Sequence, residues 1–249
     1  MTAGTPLLRL DGVVAGYGKM TVLNGVSATV RRGAITTVIG PNGAGKSTMF
    51  KAIFGLLPVS AGSIAIDGSD TTNAPPRRLL DAGVVYVPQG RNIFPELSVR
   101  HNLELGGTAL ADPKALPARL ERVMARFPVL QERAASQAST LSGGQQKMLE
   151  VARGLLLEPK LILIDEPSIG LSPLLVAEVF ALLKGLRDQG VTVLMIEQNA
   201  RQALQISDYG LVLEQGQTRI EATAAEILAD PRIAQLFLGG GMAPAERGA

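Results

Sequence analysis

The chain has 249 residues, of which 46% are hydrophobic, a size and composition that predict a globular protein with one full α/β core and at most a modest subdomain. Its 24 basic and 22 acidic residues leave a net charge of +2, which gives no electrostatic case for binding DNA or RNA. The sequence contains no cysteine and one histidine, which excludes disulfides, thiolate metal sites and a histidine zinc cluster.

The apolar segments are too short to cross a bilayer, including the runs at residues 161–164 and 191–196. The first six residues have neither the basic nor the apolar region of a secretion signal. We therefore expect a cytosolic protein, and any link to a membrane must come through a partner.

The first part of the chain predicts strands. Alternating apolar residues at 8–10 and 26–30 predict antiparallel strands, and residues 35–39 predict a buried strand. A helix is expected at 46–54, closed by Gly55, and a strand at 63–66. After Pro75 and Pro76 the pattern predicts a short helix carrying Leu79 and Leu80, and then a buried strand at 84–87.

Residues 91–155 are predicted to form a helical subdomain, because apolar residues fall on one helical face up to Pro128. Helices at 144–157 and 173–188 alternate with strands at 161–164 and 191–196, which favours a parallel sheet covered by helices. A hairpin around Gln215 and Gly216, two short helices and a flexible tail at 239–249 complete the prediction.

Residues 40–47 fit the phosphate-loop pattern G-x-x-x-x-G-K-[ST] at every fixed position, between a predicted strand and a predicted helix. Glycines let backbone N–H groups approach a phosphate, and the helix N-terminus adds partial positive charge. Lys46 is expected to reach the β- and γ-phosphates and Ser47 to offer its hydroxyl to Mg²⁺. The predicted nucleotide-binding residues here are Gly40, Pro41, Asn42, Gly43, Ala44, Gly45, Lys46, Ser47 and Thr48.

Two adjacent carboxylates follow the predicted strand at 161–164. Successive strand residues point to opposite sides, so Asp165 and Glu166 are free to take different roles. We expect Asp165 to hold Mg²⁺ and Glu166 to polarise the attacking water. Gln89, at the end of another predicted strand, is a candidate contact to the metal or the water, and its alternative is an ordinary surface glutamine.

A second phosphate-seeking helix N-terminus is predicted at Leu141–Gln145. Ser142 is a candidate helix cap, while Gly143 and Gly144 leave N–H groups free to face an anion. Two such termini and one hydrolytic centre in a single chain favour a head-to-tail dimer, with each nucleotide between the phosphate loop of one subunit and Ser142 of the other.

These motifs occur together in the order typical of ATP-binding cassette (ABC) subunits of membrane transporters, which the chain resembles over about residues 8–238. The resemblance implies a single α/β domain, a P-loop NTPase cassette with a mixed RecA-like core sheet, an N-terminal antiparallel β-subdomain and a helical subdomain. It also implies hydrolysis of ATP with Mg²⁺ in a nucleotide-sandwich dimer. The partners it implies are transmembrane permease subunits, a paralogous ATPase or a second copy, and indirectly a solute-binding protein, with the chain peripheral on the inner face of the cell membrane.

The same resemblance assigns individual roles. Tyr17 would stack on adenine, with surface packing as its alternative, and Gln89 would couple the nucleotide to transport. Glu166 would be the general base. Its catalytic set is Lys46, Gln89, Glu166 and Gln198; its metal set is Ser47, Gln89 and Asp165; its ATP contacts in trans are Ser142, Gly143, Gly144 and Gln145.

Within the family, residues 87–95, 166–173 and 196–200 resemble the second ATPase subunit of branched-chain amino acid importers. Urea and amide importers of the same subgroup share much of this pattern. A soluble ABC protein, a regulatory nucleotide binder and an exporter subunit are three further classes that the motifs allow. Gln198 stands where most cassettes have histidine, and Ser172 where they have aspartate. Phe94 is a candidate docking residue for the permease, with local packing as its alternative.

Overall fold

Two β-sheets with helices around them make up residues 6–231, the part of the chain that the computed structural model describes. The predicted tail at 239–249, the second of the two short C-terminal helices and the end of the resemblance at 238 lie outside these residues. In chain order the elements are β1 (Pro6–Tyr17), β2 (Met20–Arg31), β3 (Ile35–Ile39), α1 (Lys46–Ile53), β4 (Val59–Ile66), β5 (Ser69–Asp70), α2 (Pro76–Asp81), β6 (Val84–Val87), α3 (Val99–Gly106), α4 (Leu116–Arg126), α5 (Pro128–Glu132), α6 (Gly143–Leu155), β7 (Leu161–Asp165), α7 (Pro173–Asp188), β8 (Thr192–Ile196), α8 (Ala200–Ile206), β9 (Tyr209–Glu214), β10 (Gln217–Thr223) and α9 (Ala224–Ala229).

The first sheet is antiparallel, in the strand order β2-β1-β4-β5, and confirms the predicted N-terminal β-subdomain. β1 alternates as expected of a sheet with one covered face, since Leu8 and Leu10 are buried while Arg9 and Asp11 are exposed. The strand continues through Gly12, whose φ is +57°, and its pairing with β2 shifts register between Leu10 and Val13. A glycine therefore marks a bulge here rather than the end of a strand.

The second sheet has the order β10-β9-β3-β8-β7-β6, with only the β9–β10 pair antiparallel. This is the predicted mixed core sheet. Every residue of β3, β7 and β8 is buried, because helices or the first sheet cover both faces. In β7, Leu161 and Leu163 join the core shared with the first sheet and α1, while Ile162 and Ile164 join the core shared with α3 to α7.

The helical subdomain lies on the second of these cores. Leu120, Val123 and Met124 of α4 and Phe127 after it are buried, as the predicted stripe requires, and α4 ends at Arg126 just before Pro128. α8 is not predicted by the sequence pattern, because its seven residues are too few to show helical periodicity. Within residues 6–231, no helix combines the length and the hydropathy needed to cross a bilayer.

Candidate active site

Four neighbouring parallel strands end at one edge of the core sheet, and each carries a predicted site residue just beyond its carboxyl end. In sheet order, the phosphate loop follows β3, Gln198 follows β8, Glu166 follows β7 and Gln89 follows β6. Carboxyl ends of parallel strands are where α/β proteins bind ligands. The topology thus gathers residues that are up to 158 positions apart, counted from Gly40 to Gln198.

The phosphate loop is closed by its own lysine. Lys46 Nζ donates hydrogen bonds to the carbonyl oxygens of Gly40 at 2.8 Å and Pro41 at 3.0 Å. Gly40 and Gly45 have φ values of +153° and +100°, and a Cβ at Gly40 would lie 2.0 Å from the carbonyl oxygen of Leu213. These two glycines are required by backbone conformation and close packing as well as by phosphate access.

A cavity of about 240 Å³ opens in front of this loop. It is lined by Val22, Asn42, Gly43, Ala44, Gly45, Lys46, Ser47, Thr48 and Glu166. The structure therefore brings residues 42–48 of the predicted phosphate-binding set and the predicted general base to one cavity, whereas Gly40 and Pro41 do not line it. Burial lowers the pKa of Lys46, and the carboxylates of Glu166 and Asp165 oppose that shift.

Asp165 is the last residue of β7 and is 1% exposed. Its Oδ2 accepts a hydrogen bond from the Tyr86 hydroxyl at 3.5 Å, while its Oδ1 has no hydrogen-bond partner in the described chain. Burial raises the pKa of this carboxyl, and the nearby hydroxyls of Ser47 and Tyr86 and the charge of Lys46 lower it. An orphaned carboxylate oxygen beside the Ser47 hydroxyl fits a hard divalent cation such as Mg²⁺.

No group of three or more His, Asp and Glu side chains within residues 6–231 has the arrangement of a metal site. Mg²⁺ in nucleotide enzymes is commonly held by one or two protein groups together with substrate phosphates. Ser47 and Asp165 are the two residues that could hold such an ion together with the phosphates.

The carboxylate of Glu166 is held between two glutamine amides. Gln89 Nε2 donates to Glu166 Oε2 at 2.7 Å, and Gln198 Nε2 donates to Glu166 Oε1 at 3.1 Å. The two amides come from the strands on either side of β7, so each carboxylate oxygen faces a donor from a different neighbouring strand. Amides orient the carboxylate without contributing a charge of their own.

Sequence reasoning missed Glu197 and Tyr86. Glu197 is 2% exposed and contacts Ser168, just beyond Glu166. An acidic residue that ends an apolar run resembles the start of a surface loop, and no local pattern in the sequence distinguishes the two cases. Tyr86 lies inside β6, where its aromatic character alone indicates only strand packing.

Ser142 is the N-cap of α6, as predicted. Its hydroxyl accepts from the N–H of Gln145 at 3.3 Å, and the Gln145 side chain accepts from the N–H of Ser142 at 3.1 Å. Gly144 has a packing role that the sequence did not reveal, since a Cβ there would lie 2.7 Å from Leu175 Cδ2 of α7. Within the described residues, Ser142–Gln145 do not line the cavity of the phosphate loop.

Three further predicted residues lie on the surface. Tyr17, at the end of β1, is 42% exposed, and Lys51 Nζ donates to its hydroxyl at 3.3 Å. Ser172 is the N-cap of α7, and its side chain makes no capping hydrogen bond. Phe94 is 48% exposed, with the Arg153 guanidinium 5.3 Å from its ring centroid.

Comparison with known proteins adds independent findings. A family model described as ABC transporter matches residues 23–169. The chain is 40% identical to the high-affinity branched-chain amino acid transport ATP-binding protein BraG of Pseudomonas aeruginosa, over 94% of this chain and 100% of that protein. It is 36% identical to the probable branched-chain amino acid transport ATP-binding protein LivF of Archaeoglobus fulgidus, over 94% and 99%. The lipopolysaccharide export system ATP-binding protein LptB of Escherichia coli is 34% identical over 93% and 97%.

Solved structures of ATP-binding cassettes have the same fold as this chain. The ADP conformation of an ATP-binding cassette of an ABC transporter has a TM-score of 0.84 at 30% identity, covering 95% of this chain and 100% of that one. A dimeric post-hydrolysis cassette bound to ADP and Pi has a TM-score of 0.74 at 25% identity, covering 87% and 98%.

Proposed function

Because the chain belongs to the ABC transporter family, as one of its ATP-hydrolysing subunits, we propose that it powers an importer of branched-chain or related amino acids. The observation that best supports ATP hydrolysis is the position of the Glu166 carboxylate, which Gln89 and Gln198 hold at the cavity of the phosphate loop. The likeness to BraG and LivF supports the solute class. LptB is a relative of nearly equal identity, so a lipid-exporting role is the second candidate.

In this proposal the loop around Lys46 grips the phosphates of ATP. On binding, Lys46 Nζ exchanges its bonds to the Gly40 and Pro41 carbonyls for phosphate oxygens, which supply stronger, charge-assisted hydrogen bonds. The N-terminus of α1 adds its partial positive charge at the same place. Tyr17 provides the surface on which adenine stacks.

Glu166 is the general base of the proposal. Its carboxylate lines the cavity, within reach of a water that attacks the terminal phosphate. Gln89 and Gln198 orient it, and neither competes with it for the proton, since an amide does not titrate in this range. Ser47 and Asp165, with Gln89, would hold Mg²⁺, which when bound neutralises charge that develops on the phosphates.

The second half of the site is proposed to come from another subunit. Ser142–Gln145 start a helix on the same chain yet do not line its own cavity in the described residues, so a facing subunit is needed to bring them to the phosphate. The dimeric ADP-bound relative supports this arrangement. The facing subunit is a second copy or a paralogous ATPase.

Permease subunits are proposed to dock where the core and the helical subdomain meet, on the inner face of the membrane. A groove of about 210 Å³ there is lined by residues of β6 and α6, by one residue each of α2 and α3, and by residues next to these elements and to α1, among them Phe54, Tyr86 and Arg153. Phe94 stacks on Arg153 with half its surface exposed, so it remains available to a partner. A solute-binding protein would complete the importer on the other side of the membrane.

Hydrolysis is tested by comparing the purified chain with Glu166→Gln at saturating Mg-ATP. We expect the substitution to lower kcat by about 100-fold or more while ATP binding persists, because the base is lost and the phosphate loop is untouched. Equal rates in the two proteins would remove the role assigned to Glu166 and favour a regulatory nucleotide binder.

The transport role is tested by co-purification with membrane subunits and by uptake of candidate solutes into reconstituted vesicles. We expect permease subunits to accompany the wild-type chain and to be lost from Phe94→Glu, with ATP binding retained. Uptake of leucine, isoleucine or valine supports the proposed solute class, whereas uptake of urea or amides, or outward lipid transfer, selects a different class of transporter. A chain that associates with ribosomes or DNA ends instead belongs to the soluble class.

A further inference from the structure

Glu197 is a buried carboxylate that is neither part of the phosphate loop nor the proposed general base. It follows β8 directly and is 2% exposed. Both of its oxygens contact one residue of another segment: Oε1 accepts the backbone N–H of Ser168 at 2.8 Å, and Oε2 accepts the Ser168 hydroxyl at 2.7 Å. Ser168 lies two positions beyond Glu166.

The segment after β7, which Glu197 contacts through Ser168, contains a strained residue. Glu166 has a φ of +48°, in the left-handed region that non-glycine residues seldom adopt. Such a conformation is unfavourable for a residue with a side chain and persists only where the surrounding structure holds it. The N–H of Glu166 is fixed by the carbonyl of Ile196 at 3.0 Å, and Glu197 fixes the chain two residues later.

Burying the Glu197 carboxylate to hold the segment after β7 lowers the stability of the folded protein. Burial raises the pKa of Glu197, the hydrogen bonds from Ser168 lower it, and the charge of Glu166 raises it further. An apolar side chain at this position would avoid burying a carboxylate. Both oxygens of this buried carboxylate accept hydrogen bonds, and the segment that it holds contains the strained Glu166. Such an arrangement is expected where the position of a functional side chain is kept at the expense of stability.

We propose that Glu197 is a positioning residue for ATP hydrolysis, which acts through Ser168 to keep the Glu166 carboxylate directed into the nucleotide cavity. The inference rests on the proposed role of Glu166 as the base. Because Gln198 follows Glu197 immediately, the same anchor fixes the loop that presents the Gln198 amide to Glu166. Glu197 therefore links the two segments, after β7 and after β8, that have to stay in register for the reaction.

The test is steady-state hydrolysis of Mg-ATP by the full chain, with kcat and KM measured separately. We expect Glu197→Ala to lower kcat about tenfold and to leave KM within about twofold, because the groups that bind ATP lie on other elements. Glu197→Gln should recover most of the rate, since its amide oxygen accepts the Ser168 N–H and its NH₂ group donates to the hydroxyl.

Ser168→Ala removes only the hydroxyl contact and should give a smaller loss. Combined with Glu197→Ala it should add nothing, because both changes break the same link. The matched control is Glu221→Ala. Glu221 is also a carboxylate that accepts a backbone N–H, from Thr29 at 3.2 Å, but it is exposed and lies on β10 at the far edge of the sheet. It should change stability and not kcat.

A folded Glu197→Ala that hydrolyses ATP at the wild-type rate overturns the inference, as does a Glu197→Gln that is as slow as Glu197→Ala. If Glu197→Ala does not fold, Ser168→Ala and Glu197→Gln decide: unchanged kcat in Ser168→Ala, or a loss in Glu197→Gln that exceeds the loss in Ser168→Ala, also overturns it. Failure of the proposed function is a different result, since the wild-type chain would then be no faster than Glu166→Gln.

Discussion

Asp165 illustrates at the scale of one residue how a binding site opposes stability. Its carboxylate is almost completely buried, and one of its oxygens has no partner within residues 6–231. Because burial raises its pKa, the folded state favours the protonated form, and stability is lost as the pH rises from the ordinary value of 3.8 through the raised one. At neutral pH the ionised carboxylate therefore lowers the free energy of unfolding, and Mg²⁺ bound at the proposed site would offset this loss.

We therefore expect Asp165→Asn to raise the melting temperature at pH 7 by about 2–4 °C, the shift that ~1 kcal/mol produces in a protein of this size. The gain should shrink as the pH falls below the ordinary carboxyl pKa, where the wild-type group is protonated in both states. Thermal unfolding followed by circular dichroism at neutral and acidic pH checks this, and an ATPase assay should find the variant inactive. A lower melting temperature at pH 7 would show that the carboxylate stabilises the free protein.

Residue identity alone did not predict the complete site. The phosphate loop, Asp165 and Glu166 were recognisable because fixed spacing and a strand-to-helix context leave few alternatives. The contacts of Glu197 with Ser168 and of Tyr86 with Asp165 join positions 29 and 79 residues apart, so they depend on the order of strands in the sheet. The packing of Gly144 on Leu175 was hidden in the same way, behind the simpler anion-binding interpretation.

At the scale of elements, α6 holds the loop that follows Gln89. Lys147 Nζ pairs with Glu150 Oε2 at 2.5 Å, and both side chains are buried, at 7% and 3% exposure. Lys147 also donates to the carbonyl of Gly90, Glu150 accepts the N–H of Asn92, and Arg153 donates to the Asn92 carbonyl. One face of the helix thus fixes the backbone of the loop through charged side chains.

We expect Lys147→Met to reduce the free energy of unfolding by about 3 kcal/mol, because it leaves a buried carboxylate without its cation. Adding Glu150→Gln should recover part of the loss, since the amide oxygen still accepts the Asn92 N–H. Urea unfolding measures both.

The control is Arg77→Met, which breaks the exposed pair of Arg77 and Asp81 in α2 and should cost less than about 1 kcal/mol. A Lys147→Met variant as stable as Arg77→Met would mean that the buried pair contributes no more than an exposed one.

Elements bounded by strong local signals were the ones that sequence patterns located well. β6 and α7 have the predicted bounds, because glycine or proline punctuates their ends and hydrophobic periodicity fills their interiors. β1 and β2 are longer than predicted, since both strands continue through bulges, at Gly12 and at Gly25. α8 has only seven residues, too few for helical periodicity to be evident.

At the scale of the whole molecule, we propose that the cavity of the phosphate loop meets the start of α6 of a second subunit. We expect Glu166→Gln to form a dimer in ATP, with twice the 26.1 kDa mass of the chain, because ATP that is not hydrolysed stays between the subunits. Adding Ser142→Arg should return it to the monomer, since a bulky cation replaces the small cap that would face the phosphate.

Size-exclusion chromatography with light scattering measures the mass, and binding of a fluorescent ATP analogue verifies that the phosphate loop of the monomer remains intact. A dimer that persists with Ser142→Arg, or wild-type turnover in a chain carrying only that substitution, contradicts the sandwich arrangement.

In the proposed site, the placement of β7 between β8 and β6 separates the residues that bind the nucleotide from those that orient the base. The ATP phosphates are proposed to bind the loop after β3. The amides that contact the Glu166 carboxylate instead follow β8 and β6, and β6 is the edge strand of the sheet. One of these amides belongs to Gln89, which is followed directly by the helical subdomain. In the proposed transporter, a displacement of that subdomain by the membrane subunits would move the Glu166 carboxylate before it moved the phosphate loop. ATP would then stay bound without hydrolysis until the membrane subunits changed conformation.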